Sequence, residues 1–165
     1  MLLQDSIRVN VPAEQIFQFF AEMDKHYVDW HPDHHAFRWI EGNQLAVGTV
    51  FYFEETIGGH PQNKAMRFIE IEPNRLLVFE PMNWFIRLLM PRLSFGMEPL
   101  DAESCEFVAK IHLRVGPLGQ RLNAKEFNAV RKHMREEGEN LKQMVESAPF
   151  NSLTSERAIA SISER

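Results

Sequence analysis

The sequence predicts an α+β fold in which a curved antiparallel sheet of six to seven strands grips one long C-terminal helix, with two short helices after the first strand. Three observations carry this expectation. An alternating segment at the N-terminus leads into two short stretches with helical periodicity. From Ala36 to about Val115 the pattern changes to strands separated by turn signals. From about Gln120 to Glu146 apolar residues recur at the spacing of an amphipathic helix.

Taken in order, SIRVNV is the first strand, with Ile7, Val9 and Val11 alternating against polar neighbours. Pro12 suits a first helical position, and PAEQIFQFFAEM presents a broad apolar face through Ile16, Phe17, Phe19 and Phe20. DKHYVDWHPDHH reads as a second short helix, capped by Asp24 and broken before Pro32. Six strand patterns follow: FRWIEG, VGTVFYFEETIGG, NKAMRFIEIEP, NRLLVFEP, PRLSFGMEP and ESCEFVAKIHLRV. In the last, Phe107, Ala109, Ile111, Leu113 and Val115 share one side, and Glu106, Lys110, His112 and Arg114 the other, as in a sheet with one wet face. GPLG then leads into the long helix. Residues 1–146 are expected to form one domain, and 147–165 a peripheral or mobile tail.

The bulk composition excludes several classes. The chain has 165 residues, 44% hydrophobic and 25% charged, as an ordinary folded domain does. A net charge of -5 and no local Lys/Arg cluster argue against nucleic acid. The single Cys105 excludes an internal disulfide and a cysteine-rich zinc site. With no signal-peptide pattern and no run long enough to span a bilayer, a cytoplasmic protein without stable membrane insertion is expected. Neither a P-loop nor a dinucleotide fingerprint occurs. Seven histidines are the compositional exception, and four of them, His26, His31, His34 and His35, fall within ten residues.

The long helix contains the most informative position. Its stripe runs through Phe127, Val130, Met134, Leu141 and Met144, and the beat after Met134 falls on Glu137. His133 precedes Glu137 by four residues, so the imidazole and carboxylate share a face. A carboxylate facing a core needs a partner: a divalent metal, or an Arg or Lys from the sheet. In the long strand, Phe51, Phe53, Glu55 and Ile57 share one side, so Glu55 points with the phenylalanines toward the cavity and Glu54 away from it. The segment HYVDWHPDHH lies at the cavity mouth, where either His31 or His34 could reach inward. One of these two with Glu55, His133 and Glu137 makes a set of two imidazoles and two carboxylates, suited to zinc and acceptable to iron or manganese.

Over roughly residues 4 to 146 the order of elements resembles the Bet v 1-like superfamily, which includes START lipid-transfer domains and polyketide aromatase/cyclases. The phrases VNVPAEQIFQFF, IEPNRLLVFE and EEGENLKQM carry this likeness. It implies a helix-grip fold with a ligand cavity between sheet and helix. WHPDHH, EETIGG and KHMREEG more specifically resemble the zinc-dependent diacetylphloroglucinol hydrolase branch, whose members cleave the carbon–carbon bond between an acyl group and a phenolic ring. That resemblance implies zinc ligands at His34 (with His31 close behind), Glu55 (with Glu54 as the fallback), His133 and Glu137. The chain is much shorter than that hydrolase, and the substrate-contacting tyrosines of the branch have no placed equivalents, since Tyr27 and Tyr52 are the only tyrosines.

Two functions follow as expectations. One is a metal-dependent hydrolase of a small aromatic or polyketide-like acyl compound, with His31 or Tyr27 supplying the proton to the leaving atom. The other is a metal-free carrier of a hydrophobic ligand, in which Arg38, Arg67 or Arg87 would neutralise Glu137. In either case Trp30, Phe51, Phe53, Phe95, Met97, Val130 and Met134 are expected to line the cavity. The apolar stretch 81–91, PMNWFIRLLMP, is read as a lid, a membrane or partner surface, or a bulged strand or short helix completing the core. A monomer or homodimer fits the composition.

Overall fold

A computed structural model describes residues 1–147. The elements are β1 (Leu2–Val9), α1 (Ala13–Ala21), α2 (Met23–Trp30), β2 (His34–Glu41), β3 (Val50–Ile57), β4 (His60–Glu72), β5 (Leu76–Pro81), α3 (Trp84–Leu89), β6 (Arg92–Pro99), β7 (Cys105–His112), α4 (Pro117–Leu122) and α5 (Ala124–Ser147). Seven strands form one antiparallel sheet in the order β1-β7-β6-β5-β4-β3-β2. Helices α1 and α2 therefore carry the chain from one edge of the sheet to the other. The result is a helix-grip fold, with α5 held by the curved sheet.

Short-range chemistry explains the turns. Asn74 in the β4–β5 turn takes the left-handed conformation (φ 61°), which an asparagine tolerates. Gly58 and Gly59 between β3 and β4 have φ of 59° and 82°, the positive pair a tight hairpin requires. A Cβ on Gly58 would lie 2.9 Å from Ala129 Cβ, so only glycine lets this hairpin approach α5.

The core joins all layers. Ile16, Phe19 and Phe20 of α1 are buried with Leu3, Met66, Leu77, Met97 and Phe107 of the sheet and Met134, Leu141 and Val145 of α5. Phe20 stacks on Phe95 at 4.9 Å and on Phe107 at 5.7 Å. Fully burying a side chain of this size contributes about 1.5–3 kcal/mol.

Several expected boundaries shift. The first strand begins at Leu2 rather than Ser6 and ends before Val11, because it pairs with β7 from Leu2 to Val9. Pro12 is the N-cap of α1 rather than its first helical residue. Glu22, not Asp24, precedes α2. The long helix is two helices broken at Asn123, because α4 ends there and α5 begins at Ala124. Its buried face is Met134, Gly138, Leu141 and Val145 together with His133, while Phe127, Val130 and Met144 are only partly covered. Gly138 lies at that face because a Cβ there would already touch Ile7 at 3.4 Å. Within segment 81–91, Trp84–Leu89 form a short helix with no buried residue, whereas Pro81 at the end of β5 is fully buried. The tail expected from residue 147 onward lies outside the described residues, apart from Ser147 at the end of α5. Among the described residues no helix is long and apolar enough to cross a membrane.

Candidate metal centre

Four elements converge on one polar cluster. β2 starts at His34, which pairs in register with Glu55 of β3. The helix α5 brings His133 and Glu137 over that strand pair, one turn apart. Helix α2 is held to α5 by Trp30, whose Nε1–H donates to the Glu137 carbonyl at 2.8 Å. His34, Glu55 and His133 are buried, and the Glu137 side chain is 16% exposed. Ligand-capable atoms of all four lie within 4.8 Å of one another.

Hydrogen bonding inside the cluster is incomplete. His34 Nδ1 lies 2.9 Å from the Tyr27 carbonyl, which can only accept, so Nδ1 carries the proton. In a neutral ring Nε2 then presents a lone pair toward Glu137 Oε1, 3.1 Å away. Two acceptors face each other at that contact unless a cation or an added proton lies there. His133 Nε2 is buried without a hydrogen-bond partner, 3.7 Å from Glu55 Oε2 and 3.8 Å from Glu137 Oε1. Buried polar atoms are satisfied in the great majority of cases, so an orphan between two carboxylates needs an explanation. In a tetrahedral zinc site with N and O donors, ligand atoms are about 3.3 Å apart. The separations of 3.1, 3.7 and 3.8 Å bracket that spacing, so the donor set fits a divalent cation.

Electrostatics point the same way. Burial works against charge on Glu55, but His133 and Lys64 beside it hold its carboxyl below the usual range. Burial likewise opposes an imidazolium at His133, yet the Glu55 and Glu137 carboxylates outweigh it and raise that pKa. The cluster thus favours positive charge at its centre.

Around this centre, Lys64 Nζ donates to Glu55 Oε1 at 3.2 Å and also bonds Gln62. Tyr27 stacks on His34 with centroids 4.1 Å apart. The Tyr27 hydroxyl is buried, has no hydrogen-bond partner and lines the cavity. Burial, reinforced by the charges of Glu55 and Glu137, pushes its pKa upward and keeps the phenol protonated.

His31 is placed differently. Its Nδ1 accepts from Asp33 N–H at 3.0 Å, and its Nε2 lies 3.6 Å from Glu136. Burial, then His133 and His34, hold its pKa below the ordinary histidine value. It packs against His133 at 4.3 Å between centroids and completes a three-imidazole set with His34 and His133, but it does not line the cavity. Glu54 accepts from Tyr52 on the far side of β3, so Glu55 is the carboxylate that faces inward. Neither Arg38, which lies over Tyr52, nor Arg87, which pairs with Glu80, serves Glu137.

The cavity has a volume of about 210 Å³. Trp30, Phe51, Phe53, Phe95, Val130 and Met134 are among the residues that line it, whereas Met97 is fully buried in the core and does not. Glu55, His133 and Glu137 lie on its wall, with Lys64 and Gln62 nearby. Sequence reasoning missed Lys64. The pairing of Phe53 with Lys64 across the β3–β4 hairpin, two residues from Glu55, is the signal that could have found it.

No protein-family model matches this chain, and no curated protein matches it. Its structure is similar to the ZhuI aromatase/cyclase of Streptomyces sp. R1128 (TM-score 0.68, 15% identity, 88% of this chain and 93% of the other). It is similar to Ara h 8.0201 (TM-score 0.64, 15% identity, 90% and 99%). Norcoclaurine synthase from Thalictrum flavum, in complex with dopamine and hydroxybenzaldehyde, is another (TM-score 0.65, 15% identity, 90% and 88%). At such identities these likenesses show the fold, and that fold is the helix-grip architecture of Bet v 1-like proteins.

Proposed function

We propose that His34, Glu55, His133 and Glu137 hold one divalent metal, zinc by donor type, in a hydrolase of small aromatic or polyketide-like acyl compounds. The observation that carries this reading is the orphaned Nε2 of His133 between two carboxylates. When bound, such a metal supplies Lewis acidity toward a carbonyl oxygen and toward water.

The chain's own residues bind and orient. The aromatic wall takes a ring, and a cavity of about 210 Å³ leaves space for substituents, given that one of about 150 Å³ holds benzene. Tyr27 donates a hydrogen bond to an oxygen of the acyl compound. Its raised pKa suits a hydrogen-bond donor better than a proton source. Lys64 holds Glu55 in place. In the hydrolysis, water adds its hydroxyl to the acyl carbon. The bond from that carbon to the ring carbon or ester oxygen breaks, and the water's remaining proton ends on the leaving atom.

The almost wholly apolar wall also supports a second reading, a metal-free carrier of a hydrophobic ligand. The small aromatic compounds held by the norcoclaurine synthase structure suit a cavity of this kind. In that case an imidazolium at His133 would be the counter-ion of the two carboxylates.

Elemental mass spectrometry of untagged protein separates the two. The expected result is about one zinc, iron or manganese per chain, lost in a His133→Ala/Glu137→Ala variant, with acyl-phenol cleavage lost alongside. Wild-type protein that takes up no metal even after reconstitution would sink the hydrolase and leave the carrier.

A further inference from the structure

Helix α3 presents its apolar side outward. Asn83 caps it by accepting from the N–H groups of Phe85 and Ile86, so the helix is locally well formed. Yet Trp84, Phe85, Leu88 and Leu89, which share one face, are 71%, 56%, 51% and 45% exposed. Helix α4 repeats the arrangement with Leu118 and Leu122, four residues apart and 71% and 75% exposed. Exposed apolar helix faces of this kind mark an interaction site.

The end of α3 meets the segment that leads into α4. Arg114 N–H donates to the Leu89 carbonyl at 2.7 Å, and Arg92 pairs in register with His112. Met90 and Leu113, at the inner ends of these segments, line the cavity, as does Phe127 at the start of α5. The apolar surface therefore adjoins residues that line the cavity.

Its charge is opposite to that of the chain. Residues 84–92 and 110–125 contain Arg87, Arg92, Lys110, Arg114, Arg121 and Lys125 and no Asp or Glu, in a protein of net charge -5. Arg87 and Arg92 pair with Glu80 and Glu70. Among the described residues, no carboxylate forms an ion pair with Lys110, Arg114, Arg121 or Lys125.

We propose that α3, α4 and the residues joining them dock on an anionic lipid membrane, with Trp84, Phe85 and Leu88 entering the headgroup boundary and the basic residues facing the lipid charges. A membrane presents apolar and anionic chemistry together, which this surface matches. A second copy matches it poorly, because a two-fold contact would set Arg114, Arg121 and Lys125 against the same cations of the other copy. The surface also brings residues that line an apolar cavity close to the bilayer. The inference stands apart from the metal centre and does not rest on it.

The test is flotation of the full chain with vesicles of phosphatidylcholine alone and of phosphatidylcholine and phosphatidylserine in a two-to-one ratio. Binding to the serine-containing vesicles, weaker at high salt and accompanied by a blue shift in tryptophan emission, is expected. Arg114→Gln/Arg121→Gln should weaken that partition about fivefold for each cation removed. Trp84→Ser/Leu88→Ser should abolish the blue shift while circular dichroism stays unchanged, because these side chains are exposed. Failure to float with either vesicle, or binding that both variants retain in full, overturns the proposal. A solution dimer dissolved by Trp84→Ser/Leu88→Ser, or an acidic protein bound where vesicles are not, overturns it in favour of that partner.

Discussion

The cluster around His133 and the surface of α3 and α4 depart from ordinary burial in opposite directions. In the first, two carboxylates and three imidazoles sit inside a wall of phenylalanines. In the second, six large apolar side chains face solvent near basic residues, four of which form no ion pair among the described residues. The first lines the cavity and the second adjoins residues that do, and neither improves the fold as a folded object. Burying ionisable groups costs several kcal/mol unless they find partners, and exposing Trp or Leu forgoes about 1.5–3 kcal/mol each. The two proposals answer this difference with positive charge inside and an apolar, negatively charged surface outside.

The largest effect that would break this contrast is expected at Lys64. Lys64→Met removes a cation 3.2 Å from buried Glu55 and should destabilise metal-free protein by about 3 kcal/mol in urea unfolding. In zinc-loaded protein the loss should shrink, since Glu55 then has a second counter-charge. An unchanged midpoint would mean Glu55 does not need a partner.

Zinc itself comes next. A hundredfold excess over its Kd should raise stability by about 2.7 kcal/mol, and EDTA should reverse the gain. The pH dependence gives the sign. His133 has a folded pKa above its ordinary 6.5, so in chelated protein its contribution is full below that value and is lost as pH rises through the folded pKa. Zinc needs the neutral ring, so the zinc-induced gain should grow over the same rise. Melting curves with and without zinc across that range check both signs.

Tyr27→Phe is the smaller internal test. The hydroxyl is buried and unpartnered, so its removal should stabilise the protein by about 1 kcal/mol while weakening binding of oxygen-bearing aromatic ligands. A loss of stability would show that the hydroxyl has a partner in solution. The smallest effect is expected outside. Trp84→Ser should change folding stability by less than about 0.5 kcal/mol, since exposed side chains away from special features do little for the fold. A loss of several kcal/mol would place Trp84 in the core and remove the contrast.

Much of the architecture was legible because periodicity is local. The change from helical spacing to alternation and back marks the order of elements, and the alternation of Phe51, Phe53 and Glu55 correctly turns Glu55 inward. His133 and Glu137 on one helix face follow from a spacing of four. The phase of His31 and His34 was not legible, because Pro32 ends the regular repeat between them. The β2–β3 register decides it by setting His34 opposite Glu55. The displaced helix face also escaped a pattern built on large residues, because Gly138 packs by having no side chain.

What the sequence determined by itself is therefore whatever neighbours along the chain decide: element order, strand alternation, hairpin glycines and the pair on α5. What only the tertiary structure decided depends on distant segments meeting. His34 and Glu55 are far in sequence from His133 and Glu137, and the contacts of His34 with Glu137 at 3.1 Å and of Glu55 with His133 at 3.7 Å arise from strand pairing and helix docking. The basic residues of α3, β6, β7 and α4 form no run along the chain, so no local cluster was expected. They come together because β6 pairs with β7 and the end of α3 meets the segment that leads into α4.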